Sequence, residues 1–406
     1  MQIRAVTGFM DPGWPLDTPA ISRTAKGLHA IARELREAGY QVQTTRLATP
    51  PPAEMNHPVP ATKRPELARN LEAEAFVHGI DYAAIGPALP DDREGFEVLP
   101  EIIAGTEVIF TSALYADPAF GLSLQAAADC ARAVQRISGL SVDGFGNLRF
   151  ASLVHVPSGT PFFPAAYHRG GPAAVAIAVE SADLAVQATK EGRSLRDIRQ
   201  KLIQGVEAHA AAIQQVASRA ARENDLRFTG IDFSLAPYPE VGRSIGTAIE
   251  ALGASAVGAP GSAAAAAFLA DSLDGADFPR AGFCGLFLPV LEDSVLAQRA
   301  AEGHLTLSDL LLYSTLCGTG LDTIPLPGSI SQSALTALLV DLGAVGLRHL
   351  KPLTARLMPI PGKDVGDPVH FDFPYFADSA IMALPAPGLQ GYLASPDLLD
   401  IGPRGY

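Results

Sequence analysis

The chain has 406 residues, of which 48% are hydrophobic, and its formal net charge at pH 7 is -13. A chain of this composition can bury a large core, yet it holds no apolar run of the about 18 residues that a membrane span requires. The negative charge, without a basic stripe interleaved with aromatic side chains, argues against a nucleic-acid groove. We therefore expect a globular protein that binds neither membranes nor nucleic acid.

The first residues enter a strand-like segment directly, without the basic start and apolar stretch of a signal peptide. We therefore expect a cytoplasmic protein. The three cysteines, Cys130, Cys284 and Cys317, form no CxxC pair. The sequence accordingly predicts neither a disulfide framework nor a structural zinc site.

Short β-branched or aromatic segments alternate along the chain with Ala- and Leu-rich segments of helical spacing, such as ISRTAKGLHAIARELREAG. The predicted strands are, in order, IRAVTGF, YQVQTTRL, DYAAIGPA, TEVIFTSAL, NLRFASLVHV, LRFTGIDFSLA, AGFCGLFLPV, LDTIPLPG and PLTARLMPI. Strands separated by crossover helices form parallel sheets, so this rhythm predicts an α/β barrel or a large doubly wound sheet.

No flexible linker interrupts this rhythm, and we predict a single domain spanning residues 1–406. Two extra helical segments, about Pro172 to Lys190 and Leu195 to Asn224, follow one another in the middle of the chain. They would cover one end of a barrel or mediate dimerisation. We expect a homo-oligomer.

The candidate site residues follow predicted strands, where parallel α/β folds gather their ligand-binding groups. Asp232 and Ser234 lie two residues apart on one strand and so share a face. Two interpretations stay open for them. They are either a buried polar pair that fixes a loop, or a catalytic carboxylate and a substrate-binding hydroxyl that face a ligand.

The next loop, Gly242 to Gly246, matches the GxSxG pattern of a nucleophile elbow. Such an elbow needs a strand directly before the serine, whereas Pro237 and Pro239 intervene here. We prefer Ser244 as the N-cap of the following helix, which would aim free backbone N–H groups at an anionic ligand. A serine hydrolase that uses Ser244 is the alternative.

Two further strand ends carry candidates. Asp293 fits the N-cap of a helix, which leaves Glu292 as a candidate acid or base. Cys317 precedes a Gly-Thr-Gly turn and fits either a small buried apolar side chain or an exposed catalytic thiol. Asp322 begins the following strand and is a candidate for substrate binding.

The segment from Lys351 to Met382 places its charges among prolines and aromatic residues, unlike a surface helix. Lys351, Arg356 and Lys363 are candidates for binding a phosphate or a carboxylate, since arginine offers a bidentate fork and lysine a point charge. The alternative is a surface loop held by ion pairs.

The same segment offers a third interpretation. Asp364, Asp367 and Asp372 are candidate ligands for a hard divalent cation, either calcium or magnesium. Their spacing departs from the EF-hand loop, so it does not select calcium.

Six blocks of the chain carry a family resemblance: RAVTGFMDPG, NLRFASLVHVPSGTPFFPAAYH, TGIDFSLAPYPEVGRSIG, LPVLEDSVLAQR, LLLYSTLCGTGLDTIPLPG and KPLTARLMPIPGKDVGDPVHFDFPYFADS. With these blocks the chain resembles, essentially from end to end, the bacterial and archaeal family called domain of unknown function 711. The resemblance implies a pyruvate formate-lyase-like α/β barrel of about ten strands surrounded by helices. It implies no assigned reaction.

The implied barrel is the architecture of glycyl-radical enzymes, but fold alone does not confer function. Those enzymes carry an arginine, two small residues, a glycine and an aromatic residue in a C-terminal loop. The sequence Arg404-Gly405-Tyr406 departs from that spacing. We therefore expect no glycyl radical.

The sequence predicts a non-radical enzyme that acts on a small anionic metabolite, with a divalent cation as an optional cofactor. Its candidate catalytic residues are Asp232, Glu292 and Cys317. The alternative is a non-catalytic protein that binds a metabolite in the same pocket.

Overall fold

The computed structural model of the protein describes residues 1–316, 318–384 and 387–404. Within these residues the architecture is a mixed α/β fold in which eleven α-helices accompany a large, mostly parallel sheet. No helix in the described part of the chain has the length and apolar character needed to cross a membrane.

Strands and helices alternate along most of the chain. The strands are β1 Gln2–Phe9, β2 Val42–Ala48, β3 Tyr82–Ala84, β4 Ile109–Asp117, β5 Gly121–Ser123, β6 Phe150–Val154, β7 Ala174–Glu180, β8 Arg227–Asp232, β9 Gly320–Pro327, β10 Leu353–Ile360, β11 Pro368–Val369, β12 Ser379–Ala380 and β13 Leu398–Leu399. The α-helices are α1 Thr18–Glu37, α2 Arg64–Val77, α3 Arg93–Ala104, α4 Leu124–Ser138, α5 Ala182–Glu191, α6 Leu195–Glu223, α7 Ile245–Ala251, α8 Ser262–Asp274, α9 Ser294–Ala301, α10 Leu307–Leu316 and α11 Gln332–His349.

The main sheet follows the order β8-β7-β1-β2-β3-β4-β6-β10-β9. Strands β1, β2, β3, β4 and β6 run parallel to one another. The pairs β7–β8 and β9–β10 are each parallel internally and flank this group in the antiparallel sense. Strands β5 and β13 extend the sheet beside β4, and β11 pairs with β12 in a separate ribbon.

The segment 279–290, which contains the predicted strand AGFCGLFLPV, forms isolated bridges instead of a continuous ladder. These bridges are parallel and reach both edges of the main sheet. On one side Leu235 N–H donates to the Gly285 carbonyl at 2.9 Å, just after β8. On the other side Val290 N–H donates to the Asp322 carbonyl of β9 at 3.0 Å. The segment therefore lies between the two edge strands.

Helices cover one face of the sheet. Helix α1 shows the pattern: Ile21, Leu28, Ile31 and Leu35 recur at helical spacing and are fully buried against the sheet. The side chain of Asp17 accepts a hydrogen bond from the backbone N–H of Ala20 and caps the helix start.

The opposite face of the sheet packs around residues 156–168, which we call the interior segment. Phe162 and Phe163 at its centre contact residues of several strands, and Thr7 of β1 donates a hydrogen bond to the Pro161 carbonyl at 2.9 Å. Small side chains on this face leave room for the segment; the alanines around it are Ala5, Ala48, Ala84, Ala151, Ala174, Ala176 and Ala178.

The prediction of a helix from about Pro172 to Lys190 is wrong in its first half. Ala174–Glu180 is strand β7, which pairs with β1, and helix α5 begins only at Ala182. Valine and isoleucine alternate with alanine in AVAIAVE, so the branched side chains face the helical layer and the alanines face the interior segment. The second predicted helix is α6.

Candidate functional site

A cavity of about 360 Å³ opens on the face of the sheet that holds the interior segment. Side chains of β1, β2, β3, β4, β7, β9 and β10 line it, together with Phe162 and Phe163 of the interior segment. We call it the central cavity. It gathers residues from the whole length of the chain, as ligand sites in α/β folds do.

A chain of ion pairs crosses the cavity wall. Arg4 of β1 donates to Glu180 at 3.3 Å and to Glu292 at 3.0 Å. Arg356 of β10 donates from Nη2 to Glu292 Oε1 and from Nε to Asp322 Oδ1, each at 2.6 Å. One guanidinium thus links the carboxylates of two different elements, and Glu292 receives hydrogen bonds from two arginines.

The chain of ion pairs continues to Arg243, which also pairs with Glu180. We call Arg4, Arg243, Arg356, Glu180, Glu292 and Asp322 the ion-pair network. It contains three arginines and three carboxylates, so its formal charges cancel when all six groups are ionised.

The two carboxylates on Arg356 differ in their proton affinity. Burial alone would raise the pKa of Glu292, but the charges of Arg356 and Arg4 outweigh burial and lower it. Burial raises the pKa of Asp322, which has only Arg356 as an ion-pair partner in the described structure and also feels the negative charge of Glu292. Glu292 is therefore the firmly ionised member of this pair.

Arg46 of β2 is buried in the same cavity without a carboxylate partner among the described residues. Arg46 is 7% exposed, and its Nε donates a hydrogen bond to Thr44 Oγ1 at 2.8 Å. The guanidinium carbon lies 5.1 Å from the ring centre of Phe163 and 5.6 Å from that of Tyr82. Burial, together with the charge of Arg4, lowers the pKa of Arg46 to about 9. These features describe a desolvated cation with no ion-pair partner in the described structure, on which the charges of Glu292 and Asp81 act only from beyond ion-pair distance.

Aromatic rings form much of the remaining wall. Tyr82, Phe110 and Phe163 pack edge to face in a row, with ring centres 5.3 Å apart in both contacts. Phe162 and Phe287 form a tilted pair with centres 4.7 Å apart. The cavity therefore combines one free cationic edge with an apolar, ring-lined body.

Comparison with known proteins identifies the family. The model of the family described as "Uncharacterised ACR (DUF711)" matches residues 1–374. The chain belongs to this family. Its curated relatives include a UPF0210 protein of Pyrobaculum arsenaticum, 32% identical over 90% of this chain and 87% of that one. Others are UPF0210 proteins of Oleidesulfovibrio alaskensis, 31% identical over 91% and 85%, and of Clostridium perfringens, 26% identical over 86% and 81%.

Membership confirms the resemblance seen in the six sequence blocks, and the family's description as uncharacterised brings no activity with it. Of the predicted site residues, Glu292, Asp322 and Arg356 meet in the central cavity. Cys317 lies outside the described residues.

Asp232 and Ser234 lie apart from the cavity and match the buried-pair interpretation. Asp232 accepts hydrogen bonds from Ser234 Oγ at 2.6 Å and from the backbone N–H groups of Phe283 at 2.7 Å and Cys284 at 2.9 Å. Ser234 Oγ in turn accepts from Gly285 N–H at 3.1 Å. Both side chains fasten the segment 279–290 to the end of β8.

Ser244 is the N-cap of α7, as predicted. Its Oγ accepts from Thr247 N–H at 3.1 Å and donates to Asp293 at 2.6 Å. Asp293 caps α9 by accepting from Val295 and Leu296, which confirms its predicted role. The serine hydroxyl is thus occupied in joining two helix starts.

The lysines and the aspartate loop also lie away from the central cavity lining. Lys351 precedes β10 and Lys363 follows it, both half-buried. Asp367 accepts a hydrogen bond from the Asp364 backbone at 2.8 Å, and Asp372 is exposed. No group of three or more acidic, histidine or cysteine side chains in the described residues is placed to share a metal ion.

The sequence did carry a signal for Arg46. It lies in YQVQTTRL, a strand-like segment in which a buried guanidinium needs an anionic partner. The same argument applies to Arg356 in LTARLMPI. What the sequence lacked was the identity of the partners: Arg356 has two carboxylates, and Arg46 has none within the described chain.

Proposed function

We propose that the protein is a non-radical enzyme that acts on a small anionic metabolite held by Arg46 in the central cavity. The observation that carries this proposal is the buried guanidinium of Arg46, which has no carboxylate partner among residues 1–316, 318–384 and 387–404. Burying a cation without a counter-ion is costly, and a bound anion removes that cost. A guanidinium also holds a carboxylate or phosphate through two parallel hydrogen bonds.

Asp322 is the proposed proton donor and acceptor. Two neighbouring carboxylates whose environments move their pKa values apart commonly divide the acid and base roles. Here burial raises the pKa of Asp322, whereas the arginines lower that of Glu292. Asp322 therefore exchanges a proton with the substrate, and Glu292 stays ionised and orients Arg4 and Arg356.

A closed barrel is part of the same proposal. The segment 279–290 forms bridges to both edges of the main sheet. These bridges support a ring in which the segment is a tenth, irregular strand between β8 and β9. The interior segment would then run through the ring, with Phe162 and Phe163 at the cavity.

A divalent cation, an oligomer and a cytoplasmic location stay predictions. The proposed cation ligands Asp364, Asp367 and Asp372 do not line the central cavity. The proposal therefore routes no step through a metal.

The second candidate function is a metabolite-binding protein without catalysis. It is favoured by the ion-pair network, whose carboxylates already have arginine partners. In that case Arg46 binds the ligand and Asp322 serves only to hold Arg356. Turnover distinguishes the two functions.

The test is incubation of the purified protein with a small-molecule cell extract, followed by mass spectrometry of what is consumed and by melting-temperature measurements. We expect the wild type to deplete an anionic compound that also raises its melting temperature. Asp322→Asn should keep the melting shift and lose the depletion. Arg46→Gln should lose both, and Arg23→Gln, at an exposed arginine of α1, should lose neither.

Depletion and melting shift that persist in Arg46→Gln would refute the proposal. A melting shift without depletion in the wild type would leave the non-catalytic binder.

A further inference from the structure

We infer that the ligand of the central cavity is a monocarboxylate with a flat aromatic or conjugated body. The inference rests on the proposed function, because it names the class of anion that Arg46 holds. Three features carry it: the charge of the cavity, the free edge of Arg46 and the arrangement of the rings.

The charges that line the cavity can neutralise one negative group on a ligand. With its six groups ionised the ion-pair network is neutral, and the further partner of Arg243, Glu240, is exposed, so its charge is screened by solvent. Arg46 adds a single positive charge to the cavity. Arg149, another lining arginine, has its donors bound to the carbonyls of Ile103 at 2.7 Å and Ile109 at 3.1 Å. Burial lowers the pKa of Arg149, and the charges of Glu72 and the exposed Glu107 act against that shift. A second negative charge on the ligand would therefore be buried without a partner.

The geometry of Arg46 favours a carboxylate. The rings of Phe163 and Tyr82 lie against its guanidinium group, and Nε is taken by Thr44. The two terminal nitrogens make no hydrogen bond within the described residues, so they present a paired set of donors. Two parallel donors match two oxygens of a carboxylate or of a phosphate, and the single positive charge of Arg46 selects the singly charged carboxylate.

The rings set the shape of the ligand body. Tyr82, Phe110 and Phe163 form one wall, and Phe162 with Phe287 forms another. Ring pairs favour edge-to-face and offset contacts, which a flat ligand ring can extend from either wall. The volume of about 360 Å³ lies at the small end of ligand pockets, about 300–1,000 Å³. A single ring with one carboxylate fits these limits.

The test is calorimetric titration with three probes at fixed ionic strength: benzoate, acetate and phthalate. Benzoate and acetate share one carboxylate and differ in the body, whereas phthalate adds a second charge to the same ring. We expect benzoate to bind at least about tenfold more tightly than acetate, because burial of a ring-sized apolar surface adds that much or more. Phthalate should bind more weakly than benzoate.

Variants of Arg46 and Phe287 test whether benzoate binds in the central cavity. Arg46→Gln should abolish benzoate binding, and Arg46→Lys, which keeps the charge and loses the fork, should weaken it strongly. Phe287→Leu should lower benzoate affinity about two- to tenfold through the lost ring contact and leave acetate unchanged. Arg23→Gln is the matched surface control. Circular dichroism of each variant checks that it is folded. If Arg46→Gln does not fold, Arg46→Lys alone tests the role of Arg46.

The outcomes distinguish failure of the monocarboxylate inference from failure of the anion site at Arg46. Equal, Arg46-dependent binding of acetate and benzoate, or tighter binding of phthalate, would overturn the monocarboxylate inference and leave the proposed anion site standing. Benzoate binding that is unchanged in both Arg46 variants would overturn the inference and the site together. Failure of all three probes to bind the wild type would do the same.

Discussion

Arg46 and Arg356 share one cavity but differ in their partners. Arg356 bridges Glu292 and Asp322, whereas Arg46 has aromatic neighbours and no carboxylate in the described structure. A buried arginine with acidic partners holds the fold, because its removal strands their charges. A buried arginine without them is an unsatisfied cation, which a bound anion would neutralise.

Methionine substitutions separate these roles in the protein without ligand. Arg356→Met should lower the free energy of unfolding by about 3–5 kcal/mol, since two carboxylates lose their counter-ion. Arg46→Met should change it by less than about 1 kcal/mol, because the lost ring contacts are offset by removal of a desolvated charge. Urea denaturation of both variants beside the wild type measures the difference. Equal losses would mean that Arg46 is also a structural cation.

The raised pKa of Asp232 should make the stability of the protein depend on pH. Burial raises its pKa to about 6, even though Ser234, Phe283 and Cys284 donate hydrogen bonds to it. The ordinary aspartate pKa is about 4, so between pH 4 and pH 6 the folded protein holds a proton that the unfolded chain has released. The contribution of Asp232 to stability is thus fully present below pH 4 and declines as the pH rises to 6.

Relative to Asp232→Asn, the wild type should lose up to about 3 kcal/mol of unfolding free energy between pH 4 and pH 6, at 1.36 kcal/mol per pKa unit. Urea denaturation of the two proteins at matched pH values provides the measurement. A constant difference across this interval would show that Asp232 has an ordinary pKa in the folded protein.

At the scale of elements, the junction of β8 with segment 279–290 depends on a glycine. Gly282 has a φ of +70°, and a Cβ there would lie 2.2 Å from Asp232 Oδ2. Gly170 has a similar φ of +80° and no atom within 4 Å of its Cβ position. Both alanine variants pay the left-handed backbone cost, but only Gly282→Ala also collides with the carboxylate.

Gly282→Ala should therefore be about 1–3 kcal/mol less stable than Gly170→Ala, the usual cost of overpacking. Denaturation of the matched pair gives this value directly. If the two variants lose the same amount, the Asp232 junction yields without strain and does not fasten the segment.

The element pattern shows what sequence can and cannot predict. Strand β10 and helix α1 follow from local periodicity, because their apolar spacing matches the structure. Strand β7 was predicted as a helix because alanine has a high helix propensity. In the structure its alanines form the face that packs against the interior segment, where only small side chains fit. The segment 279–290 reads as a strand, but its pairing depends on edges about fifty residues before it and thirty after it.

At the scale of the whole molecule, the central cavity unites residues that are far apart in sequence. Arg4 and Glu292 are 288 positions apart, yet they share a hydrogen bond. The sequence could nominate Glu292, Asp322 and Arg356, since each charge interrupts or ends an apolar strand. It could not tell that Arg46 has no carboxylate partner in the described chain, because that depends on how distant strands align.

The proposed closure of the sheet predicts slow amide exchange at both junctions of the segment 279–290. The amides of Leu235 and Val290 donate to Gly285 and Asp322 across the two junctions. In a closed ring they should be protected from hydrogen exchange to a degree similar to the β1–β2 amides, since neither junction is a free edge. Hydrogen–deuterium exchange resolved by mass spectrometry makes this comparison. Exchange as fast as in exposed loops would indicate an open sheet.

The anion site at Arg46 is tested most directly by crystal structures of the protein soaked in benzoate and, separately, in acetate. We expect a carboxylate in the central cavity with its two oxygens within hydrogen-bond distance, about 2.7–3.2 Å, of the terminal nitrogens of Arg46. Arg356 should keep Glu292 and Asp322 as partners in both crystals. A cavity that holds no carboxylate at Arg46 in either soak, or an Arg46 paired with an acidic side chain of the protein itself, would contradict the account.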